Sequence, residues 1–365
     1  MNFRVEIIIY SYVFICLLLL IYNVIYMIRS GAREKRQDKA ACLWTEEISK
    51  ERMRLASGEE ISSYHIRHME KKLRGMENLL AYGNALGRIQ EKGESTAAYI
   101  QAVRGPLQQL AAYYAGKPSM DRAYFAYLIA AYWTGSAMGY QPIMEILLSY
   151  MEDSTVYCRE NVLNALYALG NVQAVENAFS YLNDKGLFHH QKLLTDGLLN
   201  FGGDREELAE RLFSHLGDWN ENLMLAVTAF ITGFSDHFRE RFLPLLEGHG
   251  TPLEIRLAVM RYYRKHVYEP ARPLLLSFLS GENSEDSLAT VAAFALECYP
   301  GPETVAALKK GLSHRSWYVR YNSASSLSVL GISEQDIQEI LGGEDRYAKE
   351  ILSYMLEERK AGEGA

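Results

Sequence analysis

A chain of 365 residues exceeds what one compact core usually organises, so several domains or an elongated repeat array is expected. Its 48% hydrophobic content excludes disorder, and a formal charge of −7 excludes the basic footprint that general nucleic-acid binding needs. Only nine prolines and few alternating valine-rich runs leave an all-α fold as the expectation.

The first element is residues 7–28, "IIIYSYVFICLLLLIYNVIYMI", without a charge. As a helix it extends about 33 Å, against a hydrocarbon core of about 30 Å. A secretory signal has a shorter apolar region, a basic start and a small-residue cleavage site. Here Arg4 is offset by Glu6 and no A-x-A follows. Tyr10 and Tyr12 at one end, with Tyr22 and Tyr26 at the other, suit the two interfaces. Residues 1–29 are therefore expected to be a transmembrane anchor. Arg29, Arg33, Lys35, Arg36 and Lys39 follow, diluted by Glu34 and Asp38. The positive-inside rule then puts the N-terminus outside and the rest in the cytoplasm of a single-pass cell-membrane protein, with the basic cluster close to anionic headgroups. Cys16, Cys42, Cys158 and Cys298 form no C-x-x-C pair and read as buried or lipid-facing thiols in a reducing compartment.

Residues 30–118 read as a basic linker and a helical stalk or N-terminal cap of two or three helices. Thr45 with Glu46 and Glu47 looks like a helix start, and Ser57-Gly58 like a break. Ile66, Met69, Leu73, Met76 and Leu80 recur at helical spacing, and Gly116-Lys117-Pro118 closes the segment. His65 and His68 form H-x-x-H. No Glu follows His65 and no third ligand is evident, so they read as two solvated histidines.

From about residue 119 one pattern recurs. "VYCRENVLNALYALG" (156–170) sets Arg159 where "WYVRYNSASSLSVLG" (317–331) has Arg320. Between them the equivalent positions are Gln191, Leu223, Arg256 and Ala289, at spacings of 31–33, and "DRAYFAYLIAAYWTG" (121–135) is a diverged copy. A second helical run separates successive copies, such as "VQAVENAFSYL" and "ETVAALKKGLS". The unit is helix, turn, helix, with an apolar face that only a neighbouring pair can bury. Val319, Ala324 and Leu327 are its expected core. Arg159, Arg256 and Arg320 are expected to be structural, with Asp153, six residues before Arg159, as the turn partner.

These residues resemble the short form of the HEAT repeat: Val319-Arg320, Ala324 and Leu327 stand where that pattern has Val-Arg, Ala and Leu. His314 or Ser316 replaces its usual turn Asp. The resemblance implies an α-solenoid over 119–342, followed by a C-terminal capping helix and disordered tail over 343–365. Ankyrin is set aside because "TPLEIRLA" (251–258) echoes its motif only once. The layout of one span, a basic linker and HEAT pairs also resembles membrane-anchored HEAT proteins of Gram-positive bacteria. That resemblance implies a protein partner of the membrane glycosyltransferase class.

No phosphate-binding glycine loop, nucleophile elbow or metal motif is present, so no catalytic residue, metal or cofactor is assigned and no enzyme is expected. His189-His190 reads as the start of a repeat's second helix, and Glu206-Glu207 as a helix start favoured by the macrodipole. Aromatic and basic residues cluster on two second helices, Arg261, Tyr262 and Arg264 on one and Trp317, Tyr318 and Tyr321 on the other. Tyr263 falls on the core face. Second helices of a solenoid line its concave, binding face, and these residue types dominate interface hot spots. They are the candidate partner-binding residues of a membrane-anchored scaffold. The alternative is an enzyme or accessory on a HEAT-like body. A DNA glycosylase is opposed by the acidic balance and the anchor, and a chromophore lyase requires bilin-protein partners.

Overall fold

The computed structural model describes residues 2–133, 141–248, 250–281, 285–332 and 334–363. Helix α1 runs Asn2–Ala56 without a break, so the apolar segment and the basic segment share one rod. From Tyr10 onward its apolar stretch is exposed, and it is the one helix among the described residues long and apolar enough to cross a membrane. Thr45 does not start a helix. It lies inside α1 and donates its hydroxyl to the Ala41 carbonyl one turn back, 2.8 Å away. The rod ends where the sequence breaks it, with Gly58 in the left-handed region at φ +82°.

Helices α2 (Ser63–Lys72), α3 (Met76–Glu91), α4 (Ala97–Ala102), α5 (Arg104–Ala115), α6 (Ser119–Tyr132), α7 (Gln141–Ser149) and α8 (Val156–Leu169) follow. Residues 40–117 thus hold four helices beyond α1, more than the two or three expected, because Val103 interrupts 97–115. The chain divides into two compact units, Met1–Val175 and Glu176–Ala365, and α9 (Val172–Asp184) carries the division in its first turn. In the first unit, Ala41, Trp44 and Ile48 put a buried face of α1 against α3 and α4. Gly83 permits the close passage of α3 and α6: a Cβ there would collide with the Tyr124 hydroxyl and lie 2.7 Å from Leu128 Cδ2. Helix α6 packs on α8, and α5 on α7.

The second unit continues with α10 (Gln191–Leu199), α11 (Arg205–Ser214), α12 (Glu221–Phe234), α13 (Arg239–Glu247), α14 (Leu253–Lys265) and α15 (Arg272–Ser280). It closes with α16 (Asp286–Ala295), α17 (Pro302–Gly311), α18 (Trp317–Leu330), α19 (Glu334–Gly342) and α20 (Arg346–Glu363). The sequence copies fall on α8, α10, α12, α14, α16 and α18, and the described residues contain no strand. Each even-numbered helix from α10 to α20 packs on the next, while α11, α13, α15, α17 and α19 each pack on the helix that follows them.

The repeat positions explain this stacking. Val319, Ala324 and Leu327 are fully buried, as their spacing requires. Helices α16 and α18 pack together and bury small side chains: Ala289, Ala292 and Ala293 on one, Ser323, Ala324 and Ser326 on the other. Ser326 donates its hydroxyl to the Ala293 carbonyl, 2.7 Å away, so the buried polar group is satisfied. Gly311, ending α17, leaves room for Ser323, whose hydroxyl a Cβ there would strike.

At the turn before α8 the arginines act on backbone rather than on a carboxylate. Arg159, expected to pair with Asp153, instead donates to the Ser154 carbonyl at 2.6 Å. Arg122 of α6 donates to the carbonyls of Glu152 and Asp153, at 2.9 and 3.0 Å. These three carbonyls belong to the turn between α7 and α8, where no helix ladder pairs them, and two guanidinium forks satisfy them. Arg256 lies over the Phe278 ring and Arg320 over Tyr347, 4.8 and 5.0 Å from the centroids.

Tyrosine abundance has a structural use in both units. The hydroxyl of Tyr114 donates to the Leu73 carbonyl and that of Tyr150 to Ala111, at 2.7 and 2.6 Å. In the second unit Tyr263 donates to Arg239 and Tyr299 to Tyr263, at 2.6 and 2.9 Å. Each ring fills the core while its hydroxyl pegs a neighbouring backbone. Burial pushes the Tyr299 phenol up to about 12. The four cysteines are unpaired thiols. Cys158 is buried, which raises its pKa, but Cys42 is exposed outside the apolar run, with Arg88 donating to its sulfur at 3.1 Å.

Candidate functional site

Helix α18 opens after a turn in which the Ser316 N–H donates to His314 Nδ1 at 3.0 Å. Arg315 beside it is held by Asp286, 2.8 Å away. This start leaves the first turn of α18 uncovered: Trp317 is 55% and Tyr318 66% exposed. Tyr321 comes one turn later and stacks under Trp317, with centroids 5.1 Å apart and planes 29° from parallel.

The facing wall belongs to α20. Asp345 caps it by accepting the N–H groups of Tyr347 and Ala348 at 2.9 and 3.1 Å. A bond from the Ser313 hydroxyl, these backbone N–H groups and the charge of Arg320 hold its carboxyl below the ordinary range. The cap fixes the helical register that brings Tyr347, Ile351 and Tyr354 onto one face. With Trp317, Arg320 and Tyr321 they line a groove of about 420 Å³ with Glu350 at its edge. Tyr347 and Tyr354 remain more than half exposed, at 65% and 56%. Tyr318 stands beside the groove and meets Trp317 edge-on at 5.3 Å.

Only half of the sequence-nominated residues meet here. On α14, Arg261 is exposed but Tyr262 is fully buried, its ring 4.6 Å from Phe242 and 4.8 Å from His266. Tyr262 occupies the repeat position of Ser326, which is also fully buried, so it packs the stack and offers no binding surface. Arg264 is committed as well. It donates to Glu297 at 2.7 Å and lies 3.8 Å over the Phe294 ring. Conversely, Tyr347, Glu350, Ile351 and Tyr354 were missed. The spacing 347, 351, 354 carried the signal, hidden by reading residues after 342 as a cap and a tail; α20 continues to Glu363, and residues 364–365 lie outside the described residues.

The histidines also differ from expectation. His65 is 2% exposed, not solvated: its Nε2 shares a 2.8 Å hydrogen bond with the Tyr99 hydroxyl, and its Nδ1 lies 3.5 Å from Glu47. His68 Nδ1 meets the same Glu47 oxygen at 3.1 Å, and its ring stacks on Trp44. Burial lowers the His65 pKa against the attraction of Glu51 and Glu47. Burial also raises the Glu51 carboxyl, but two bonds from Ser62 and nearby cations prevail and hold it low. The cluster joins α1 to α2. His189 is buried, and His190 caps α10 by accepting the Lys192 N–H at 3.2 Å. Among the described residues no three His, Cys, Asp or Glu side chains converge as a metal site.

No family model matches the chain, and no curated protein matches it. Among solved structures, an engineered protein is 15% identical over 90% of this chain and 96% of its own, with a TM-score of 0.38. Human deoxyhypusine hydroxylase, in complex with glycerol, is 15% identical over 73% of this chain and 96% of its own, with a TM-score of 0.21. Likeness at this level assigns neither family nor activity.

Proposed function

We propose that the protein is a membrane-anchored scaffold whose helix pairs form a HEAT-like α-solenoid and hold a protein partner in the α18–α20 groove. The groove carries this reading. Six of its seven lining side chains present aromatic, aliphatic or guanidinium surface, and three of its four aromatic rings are more than half exposed. Many other tyrosines, such as Tyr82, Tyr99, Tyr114, Tyr150, Tyr262, Tyr263 and Tyr299, are consumed in the core. Tyr, Trp and Arg in a concave, half-dry setting are what interface hot spots are made of. Stacked helix pairs in the second unit support the solenoid, and the exposed apolar stretch of α1 supports a span. The basic flank orients that span with the N-terminus outside and the helix pairs in the cytoplasm.

The resemblance to membrane-anchored HEAT proteins of Gram-positive bacteria supplies the partner class, a membrane glycosyltransferase or similar envelope-synthesis enzyme. Such enzymes take up nucleotide sugars at the cytoplasmic surface, within reach of an anchored solenoid. Two experiments test the reading. A C-terminal alkaline phosphatase fusion should be inactive and a C-terminal fluorescent protein bright; the reverse contradicts the topology. Affinity capture from mildly solubilised membranes should return an envelope-synthesis enzyme with the native chain and lose it with Trp317→Ala/Tyr354→Ala. Repeated capture without such an enzyme, or undiminished capture by the double variant, contradicts the groove as its seat.

A further inference from the structure

The continuity of α1 places charge where the apolar run stops. Arg29 follows Ile28 directly, and because the helix does not break, Arg33 and Arg36 fall on the same face at i+4 and i+7. The three span about 10 Å along the axis, while a headgroup layer is about 5–7 Å deep on each side of a bilayer. They do not lie on a bare rod. Together with Gln37 they form one wall of a cavity of about 530 Å³, whose other wall is Glu77 and Asn78 in the first turn of α3. That turn follows Gly75, which gives no side-chain cap, so the positive end of a sixteen-residue helix lies close by.

The charges here are largely uncompensated. Arg29 and Arg36 make no ion pair among the described residues, and Arg33 reaches only Glu77, at 3.9 Å with both side chains mostly exposed. On α1, Glu34 lies next to Arg33 but outside the cavity lining, and Asp38 is bound by Arg88. Lys35 and Lys39 lie outside the lining. A guanidinium fork matches phosphate oxygens in pairs, and the loosely held Glu77 would yield to a better anion.

We infer that this cavity between α1 and α3 is a binding site for the phosphate of an anionic membrane lipid. The inference rests on the reading of α1 as a span, which sets the cavity at headgroup depth. The acyl chains of such a lipid would run along the exposed apolar face of α1, leaving the phosphate between Arg29 and Arg36. A soluble phosphate compound shares the recognised group, and the test separates the two sources.

The full chain in detergent micelles is titrated with phosphatidylglycerol or with phosphatidylcholine of the same acyl chains, and native mass spectrometry counts the lipid retained. Phosphatidylglycerol should be held in preference. Loss of about fivefold in affinity per arginine removed follows from about 1 kcal/mol per charge at a lipid surface, so Arg29→Gln/Arg36→Gln should weaken retention more than about tenfold. Lys35→Gln/Lys39→Gln removes the same charge away from the cavity and should weaken retention distinctly less. Equal loss in the two double variants, or no preference between the lipids, overturns the site. Millimolar inorganic phosphate should leave the lipid bound; its displacement overturns the lipid as the source. Alkaline carbonate extraction is read separately. Release of the chain from membranes contradicts the span, whereas an integral chain without the lipid preference contradicts the site.

Discussion

Helices α14 and α18 carry the same kind of surface in the sequence and opposite kinds in the structure. Both combine tyrosine and arginine on a second helix of the pattern, yet Tyr262 and Arg264 are consumed by packing while Trp317 and Tyr318 stand open. Composition does not separate them. Register does: Trp317 and Tyr318 lie three and two residues before the repeat arginine, and so do Val156 and Tyr157, which are equally exposed. Tyr262 lies six residues after its arginine, a position buried in α8, α16 and α18, where Ala165, Ala295 and Ser326 occupy it. A tyrosine where other copies carry a small residue fills the stack; an aromatic in the first turn faces outward.

The sharpest way to break this comparison is to damage the stack beneath the groove. Leu327→Asp puts an unpaired charge at a fully buried position, and even Leu327→Ala should cost about 2–5 kcal/mol. The aspartate variant should fail to unfold cooperatively in thermal denaturation followed by circular dichroism, and native-like melting would contradict the repeat register. Next in size, Tyr262→Ala should cost about 3–5 kcal/mol in denaturant titration, whereas exposed Tyr318→Ala should stay within about 0.5 kcal/mol. Similar values for the pair would erase the distinction between the helices.

Arg264 sharpens the same point. Glu297 keeps only 9% of its side chain exposed, so Arg264→Ala leaves a largely buried carboxylate unpaired and should cost about 1–3 kcal/mol. Arg261→Ala, three residues earlier and exposed, should cost almost nothing. Equal costs would mean that the ion pair is not what fixes Arg264.

The smallest expected effect lies in the first unit, where H-x-x-H hid a core residue. His65 titrates below its ordinary 6.5 because burial disfavours the imidazolium. The unfolded chain therefore binds more protons in that window, so stability is full above about pH 6.5 and falls as pH drops toward the lowered folded value. Glu47, Glu51, His68 and Tyr99 surround the ring and also shape the profile. His65→Gln should flatten the fall in melting temperature between neutral and mildly acidic pH. An unchanged slope would assign the dependence to the other groups.

The all-helical character and the long apolar N-terminal helix were legible in the sequence, because the apolar spacing and the uncharged run state them directly. The copies aligned on Arg159, Arg256 and Arg320 fall on helices, and Val319, Ala324 and Leu327 are buried. Contacts between turns were not legible, since Arg159 reads a backbone carbonyl, which no side-chain pattern announces. Thr45 misled because a cap residue and a residue bonding back into its own helix look alike until the preceding turn is known. Half of the groove escaped notice because α20 has no copy elsewhere in the chain to align with.

The central claim is that the α18–α20 groove, rather than the tyrosine-rich surface in general, seats a protein partner. Replacing Tyr354 with a photocrosslinking phenylalanine analogue, and separately Val329 on an exposed part of α18 outside the groove lining, tests it in intact membranes. The account predicts one discrete crosslinked product from position 354, containing an envelope-synthesis enzyme and absent from position 329. No product from either position, or the same product from both, would contradict it.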